Sequence, residues 1–290
     1  LRLHSEPKET PEALFARMVE ANKPRYSAYL DMGHFVICSA SPELFFELED
    51  GTLTSKPMKG TTGRGLWDAG DTARAQRLLN SAKDRAENLM IVDMVRNDLG
   101  RIARTGSVTV PKLFETERYP TLWQMTSTVQ ARSNASFLQI LQALFPAASI
   151  TGAPKARATQ IIAELETTPR GVYTGCVGYL APGGRARFNV AIRTAVADRD
   201  SNRTEYGLGS GIVWDSTSSA EYAECLLKAR IVTDAPPPFE LLETLLWEPG
   251  DGYFLLQEHL RRLRDSAQYL DVPADIVKVE AAHISDQLRA

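Results

Sequence analysis

Strands joined by tight turns, with helices before, between and after them, predict a chain of the α+β class. Three stretches carry that expectation. ELFFELE and TLTSKP flank Asp50-Gly51, a pair that supplies the positive φ a two-residue hairpin turn needs. VYTGCVGYLA, ARFNVAIRTAVAD and TEYGLGSGIVWDS follow one another as an antiparallel meander, the first two joined at Gly183-Gly184. Residues 68–104 instead show helical spacing, with Leu78, Leu89, Val92, Val95 and Leu99 on a broad apolar face.

Taken in order, PEALFARMVEAN at 11–22 reads as a helix with Pro11 in its first turn. YSAYLDMGHFVICSASPELFFELEDGTLTSKP reads as two successive hairpins, turning near Met32-Gly33 and at Asp50-Gly51. The second delivers Lys59 into a Gly/Thr-rich loop, KGTTGR, where Gly60 lets backbone approach a ligand. After the helical stretch, closed by Gly100 or Thr105-Gly106, SVTVPKLFETERY and TLWQMTSTVQAR have the β-branched and aromatic content of strands. SFLQILQALFP is a short helix with Ser136 as its cap, and SITGAPKARATQIIAELE is a loop entering a helix. Beyond the meander, SSAEYAECLLKARIV closes the unit as a helix. TDAPPPFE then marks a stiff linker at 233–238. Residues 239–290 read as strand, turn at Pro249–Gly252, strand and helix, and at about fifty residues are short for an independent core.

A length of 290 residues allows one large core or two modest ones, and the net charge of −3 gives no electrostatic reason to expect nucleic acid. No apolar run is long enough to span a bilayer. Cys38, Cys176 and Cys225 lie apart among apolar residues, as buried thiols suited to a reducing cytoplasm. The chain opens on Leu1 and closes within a helical pattern, so it reads as an excerpt of a longer one.

Two carboxylate pairs, Asp84/Glu87 and Glu221/Glu224, each project from one helix face, and Lys228 continues the second face. Solvated helix faces explain them; so does a hard divalent cation held where two helices converge. No His/Cys cluster has zinc spacing. Arg193 sits among apolar neighbours and needs an anion, either an internal acid or a substrate carboxylate. GLGSGIV offers free N–H groups without a GxGxxG or Walker spacing, and Lys155 is equally ambiguous. Taken alone, Lys59 is a solvated surface charge. Together these groups suit a small dianionic molecule.

SASPELFF, SKPMKGTTGRG, KDRAENLMIVDMVRNDLGRI, RYPTLWQMTSTV, SITGAPKARATQII, RGVYTGCVGYL, AIRTAV, GSGIVWDS and EYAECLLKA, in this order, resemble the chorismate-binding enzymes over residues 1–232. The resemblance implies a two-sheet, largely antiparallel core with outer helices, lacking part of its N-terminal side. It implies Mg²⁺ at Glu87, Glu221 and Glu224, with Asp84 outside them. Chorismate would be held by Gly60, Thr61, Thr151, Tyr173, Arg193, Lys228 and the Gly209-Ser210-Gly211 backbone. Lys59 resembles the nucleophilic lysine of the aminodeoxychorismate synthase branch, where anthranilate synthases carry a small residue. That branch attacks C2 of chorismate, takes ammonia from a glutamine amidotransferase subunit and feeds 4-aminobenzoate and folate synthesis. Gln124 stands where anthranilate synthases carry a histidine, so no role of that histidine transfers. Residues 239–290 resemble the start of a class IV, pyridoxal-phosphate-dependent aminodeoxychorismate lyase, with Arg262 as its phosphate arginine and its cofactor lysine beyond residue 290. The alternatives are an anthranilate synthase component I and a non-catalytic fragment.

Overall fold

A computed structural model describes residues 1–65, 67–214, 216–233, 240–270 and Val272. Its elements begin with β1 (Arg2–Ser5), α1 (Pro11–Asn22), β2 (Tyr26–Asp31), β3 (Phe35–Ser41), β4 (Leu44–Glu49), β5 (Thr52–Lys56) and β6 (Met58–Gly63). There follow α2 (Asp68–Asn80), α3 (Ala82–Gly100), β7 (Thr109–Arg118), β8 (Leu122–Arg132), α4 (Phe137–Leu144) and, after a 3₁₀ turn at Ala148–Ile150, α5 (Lys155–Leu165). The rest are β9 (Cys176–Ala181), β10 (Arg185–Val190), β11 (Thr194–Asp198), β12 (Arg203–Gly207), α6 (Ser218–Thr233), β13 (Trp247–Glu248), β14 (Gly252–Tyr253) and α7 (Leu256–Tyr269). The chain divides into two compact units, Leu1–Gly63 with Ala75–Ala235, and Arg64–Arg74 with Pro236–Ala290.

The first unit holds two sheets, ordered β1-β12-β11-β3-β2 and β6-β8-β5-β4-β10-β9, with β7 also on β8. All their pairings are antiparallel. Leu14 and Met18 of α1 and Cys225 and Ala229 of α6 cover the five-stranded sheet. Ile91, Val92, Val95 and Leu99 of α3 and Ile140 and Leu144 of α4 cover the seven-stranded one. Ile37, Val177 and Ala191 pack between the sheets. Strands covered on both faces lose their alternation, and β3 accordingly buries Val36 through Ser41 without a break. The mixed, largely antiparallel architecture expected above is therefore the one observed.

Several local expectations are corrected. Residues 68–104 form two helices, because Ser81 leaves helical geometry (φ −67, ψ 112) to accept the Asp84 N–H as an N-cap. The successive hairpins β2–β3 and β4–β5 belong to different sheets, the chain crossing over at Pro42-Glu43. The Gly/Thr stretch is a strand, β6, rather than a loop, since it pairs with β8 from Met58↔Thr126 to Gly63↔Leu122. ARFNVAIRTAVAD is two strands: the chain again changes sheets at Ala191–Arg193, where Arg193 takes a left-handed φ of +50. LRLHSEP, left unassigned by its pattern, contributes β1 along β12.

In the second unit β13 and β14 form a hairpin, Trp247↔Tyr253 and Glu248↔Gly252, while residues 240–246 form no strand. Glu243 holds both His259 and Arg262 of α7. The Arg64 guanidinium bonds Asp71 and lies 4.8 Å over the Tyr269 ring, whose hydroxyl donates to the Gly65 carbonyl at 2.8 Å. The linker at 233–238 falls outside the described residues apart from Thr233, as do residues 273–290. No helix among the described residues is long and apolar enough to cross a membrane.

Candidate functional site

The two places where the chain changes sheets are bonded to each other. Ala40 N–H donates to the Arg193 carbonyl at 3.0 Å, Val190 N–H to the Glu43 carbonyl at 3.1 Å, and Ser41 Oγ to the Val190 carbonyl at 2.6 Å. One crossing carries Glu43 and the other carries Arg193. Neither sits on a strand, so neither is bound by strand alternation, and both side chains enter the interior.

Glu43 is 4 % exposed. Burial pushes its carboxyl up to about 7, although the Ser149 hydroxyl, the Lys59 and Arg193 cations and the Met58 N–H all favour its charge. Arg193 is the complementary case. Burial works against its charge, the phenols of Tyr206 and Tyr119 and the Glu43 carboxyl support it, and its guanidinium makes no hydrogen bond or ion pair among the described residues. The Tyr206 hydroxyl beside it is also buried without a hydrogen-bond partner. A half-buried guanidinium and a buried hydroxyl, neither hydrogen-bonded among the described residues, suit an anionic ligand.

Lys59 reaches this neighbourhood from β6. The register of β6 on β8 breaks between Met58 and Thr61, and Gly60 inside that irregularity takes a φ of +95. A Cβ on Gly60 would stand 3.0 Å from Asp84 Cβ, so glycine lets β6 lie against the start of α3. Asn88 of α3, 1 % exposed, donates to the Lys59 carbonyl at 3.3 Å and accepts from Ser127 Oγ of β8 at 2.6 Å. The peptide of Lys59 is thus fixed from two elements, and its side chain extends toward Glu43.

The stretch after β12 closes the other side. The Tyr173 ring occupies the space of a Gly207 side chain, 2.2 Å from where its Cβ would be, and its hydroxyl lies 2.6 Å from that of Gly209. Burial pushes this phenol up to about 12. The Gly209 carbonyl accepts from Lys228 Nζ at 2.8 Å, and Lys228 pairs with Glu224 at 2.7 Å. Ser210 and Ser216 hydrogen-bond Glu221 and hold its carboxyl below the usual range. A Cβ on Gly211 would stand 3.2 Å from Lys59 Nζ. One glycine-rich segment therefore touches the tyrosine, the two α6 side chains and the lysine.

The remaining expected residues are more loosely associated with that centre. Thr61 accepts from Gln124 Nε2 at 2.9 Å on an exposed part of β6. Thr151 donates to the Ala147 carbonyl at 3.1 Å, and Ser149 two residues earlier is the hydroxyl that reaches Glu43. Lys155 is structural in its contacts, bonding Asp98 at 2.5 Å and the Leu144 carbonyl at 2.9 Å. Glu87 lies 4.0 Å from Lys83, whose charge also reaches Glu221. Among the described residues no three acids, cysteines or histidines close into a metal-binding group. One carboxylate oxygen does fit a hard cation: Glu221 Oε2 is occluded and has no hydrogen-bond partner. Arg262 lies exposed on α7 with its guanidinium on Glu243.

Glu43, Ser149, Asn88 and Tyr206 were missed from the pattern. An acid between Pro42 and the apolar run Leu44-Phe45-Phe46 is the one signal that marks Glu43, since such a position is buried and an acid there needs partners. The others are ordinary polar residues whose importance comes only from what they face.

A family model described as chorismate binding enzyme matches residues 1–234. Aminodeoxychorismate synthase component 1 of Salmonella typhimurium is 45% identical over 218 residues, covering 74% of this chain and 48% of that protein. Anthranilate synthase component 1 of Aquifex aeolicus is 40% identical over 231 residues, covering 79% and 46% respectively. The crystal structure of anthranilate synthase component I from Streptococcus pneumoniae aligns with a TM-score of 0.73 at 36% identity, covering 80% of this chain and 51% of that one. The chain thus spans about half the length of these relatives.

Proposed function

The chain belongs to the chorismate-binding enzyme family, and we propose that it is the chorismate-converting part of an aminodeoxychorismate synthase component I. In this reading chorismate and ammonia give 4-amino-4-deoxychorismate. The ammonia comes from a separate glutamine amidotransferase subunit, in the cytoplasm. The observation that carries the reading is a lysine amine set between Gly211 and a buried glutamate, beside a half-buried arginine with no ion pair among the described residues. Similarity to relatives named aminodeoxychorismate synthase component 1 supports the branch.

A chorismate carboxylate would accept from Arg193 and from the Tyr206 hydroxyl, the two groups left unpaired. Gly60, Thr61, Thr151, Tyr173, Lys228 and the Gly209-Ser210-Gly211 backbone would shape the rest of the pocket. Lys59, as its free amine, forms a bond to C2; both conjugated ring double bonds shift and the C4–O bond breaks. Glu43, with a carboxyl poised near 7, gives its proton so that the hydroxyl leaves as water. Ammonia then bonds to C4, both double bonds shift back and the C2–N bond breaks, which returns the Lys59 amine. Glu43 recovers its proton from the new ammonium, so the cycle closes. Glu221, with Glu87 and Glu224 and with Asp84 behind them, would hold Mg²⁺. When bound, that ion supplies positive charge to steady a substrate carboxylate and the charge that develops nearby.

Mass-spectrometric analysis of the product from chorismate, ammonium and Mg²⁺ tests this reading. Aminodeoxychorismate is the expected product; anthranilate with pyruvate would instead place the chain with the anthranilate synthases, as the Aquifex relative is named. A chain that neither melts cooperatively nor binds chorismate with Mg²⁺ would be the non-catalytic fragment.

A further inference from the structure

A small cavity of about 10 Å³ adjoins Glu43, lined also by Ser55, Ser149, Val95, Ala148 and Asp98. That is room for about one water, and with two hydroxyls and two carboxyl-bearing residues around it the site is polar enough to hold one. Asp98 also lines a separate groove of about 680 Å³, together with Met90, Met94, Asn97, Pro154 and Lys155. Among the described residues Asp98 is the single residue common to both.

The geometry points to Asp98 as a positioning residue for the Glu43 proton, exchanging it through one cavity water and passing it to solvent in the groove. This deepens the proposal that Glu43 acts as an acid, and rests on it. Beside the return of its proton from the new ammonium, the glutamate then has an exchange route to solvent that does not run past Lys59. In the transfer, the Glu43 O–H bond breaks as the water takes that proton, and the water gives one of its own to an Asp98 carboxylate oxygen. The water is unchanged, and one carboxyl has replaced the other as the carboxylate.

The surroundings favour such an exchange. Facing Glu43 are the Ser149 hydroxyl, the Met58 N–H and the Lys59 and Arg193 cations. Facing Asp98 are Lys155 of α5 and Arg101 from just beyond its own helix. Burial raises both carboxyls above their ordinary values, so neither is a deep trap for the proton. A purely structural Asp98–Lys155 pair, tying α5 to α3, would need no cavity between Asp98 and Glu43.

The test is hydrogen–deuterium exchange of the protonated Glu43 carboxyl, followed by its infrared band at about pH 6, where a group titrating near 7 keeps its proton. Glu43→Gln assigns the band. The full chain is used without ligand, so the result does not depend on which product the enzyme makes. Ala148→Val fills the cavity and leaves the Asp98–Lys155 pair in place; Asp98→Asn removes the acceptor. Exchange slowed by about tenfold or more in each is expected. Exchange at the wild-type rate in Ala148→Val overturns the proposal, even if Asp98→Asn proves too unstable to measure.

Discussion

Lys59 Nζ stands 3.2 Å from the point a Cβ on Gly211 would occupy, so the amine and the glycine segment after β12 close on one another. A methyl there would press on the free end of a flexible side chain rather than on backbone. Gly211→Ala is therefore expected to fold normally, within about 0.5 kcal/mol of the parent, while turnover drops by roughly tenfold because the amine is displaced. Steady-state kinetics beside a thermal melt check it; unchanged turnover would show that the segment does not limit where the amine sits.

Lys59→Ala should abolish aminodeoxychorismate formation, and Lys59→Arg should not restore it, since a guanidinium keeps its charge and lacks a free amine. Both variants are expected to melt like the parent, because the Asn88 bond goes to the Lys59 carbonyl and not to its side chain. Product analysis decides, and normal turnover in the alanine variant would sink the nucleophile assignment.

The Glu43 carboxyl is raised from 4.5 to about 7 in the folded protein. The folded state then binds the proton more tightly than the unfolded chain, so stability falls as pH rises from about 4.5 to 7 and stays lower above it. The shift corresponds to at most about 3 kcal/mol. Glu43→Gln should flatten that fall and leave the variant the more stable at pH 8. Melting curves taken across this range would contradict the assignment if the two proteins changed in parallel.

Arg193 presents a half-buried, desolvated charge without an ion pair among the described residues. Arg193→Met is expected to leave stability unchanged or to raise it by about 1 kcal/mol, since an apolar chain relieves the desolvation cost. The same change should weaken chorismate binding by about a hundredfold through loss of a charge-assisted contact. Calorimetric titration separates the two effects; retained affinity would remove Arg193 from the binding site.

Glu221 offers an occluded oxygen without a partner. Glu221→Gln keeps the shape and the Ser216 contact but removes the charge, so about tenfold more Mg²⁺ should be needed for half-maximal activity. An unaltered Mg²⁺ dependence would move the metal away from α6.

Much of this molecule was legible in residue patterns, and what was not has a physical cause. Capping and turn chemistry are local, so Ser136, Asp50-Gly51 and the Gly183-Gly184 turn could be placed directly. Sheet membership is not local. Nothing in NVAIRTAV marks the crossing at Ala191–Arg193, because β-branched and apolar residues continue through it while the backbone leaves one sheet for another. The crossings also carry two residues of the candidate site, and Arg193 stands out there by its charge while Glu43 is hidden inside an apolar run. The glycines of GLGSGIV were read as anion donors; Gly207 and Gly209 are there at least as much to admit Tyr173.

Strand β8 carries a consequence of another kind. Its eleven residues pair with β7 along nearly their whole length, while β6 and β5 lie end to end against it, meeting where Ser127 N–H donates to the Pro57 carbonyl. A single ruler thus measures off both the hairpin that precedes the lysine and the strand that bears it. An inserted residue anywhere along it would turn every later side chain to the opposite face and shift both neighbours at once. New substrate preferences on this scaffold are thus far easier to reach by exchanging side chains than by changing chain length, and tolerated insertions should collect at exposed turns outside the strand, such as Gly183-Gly184.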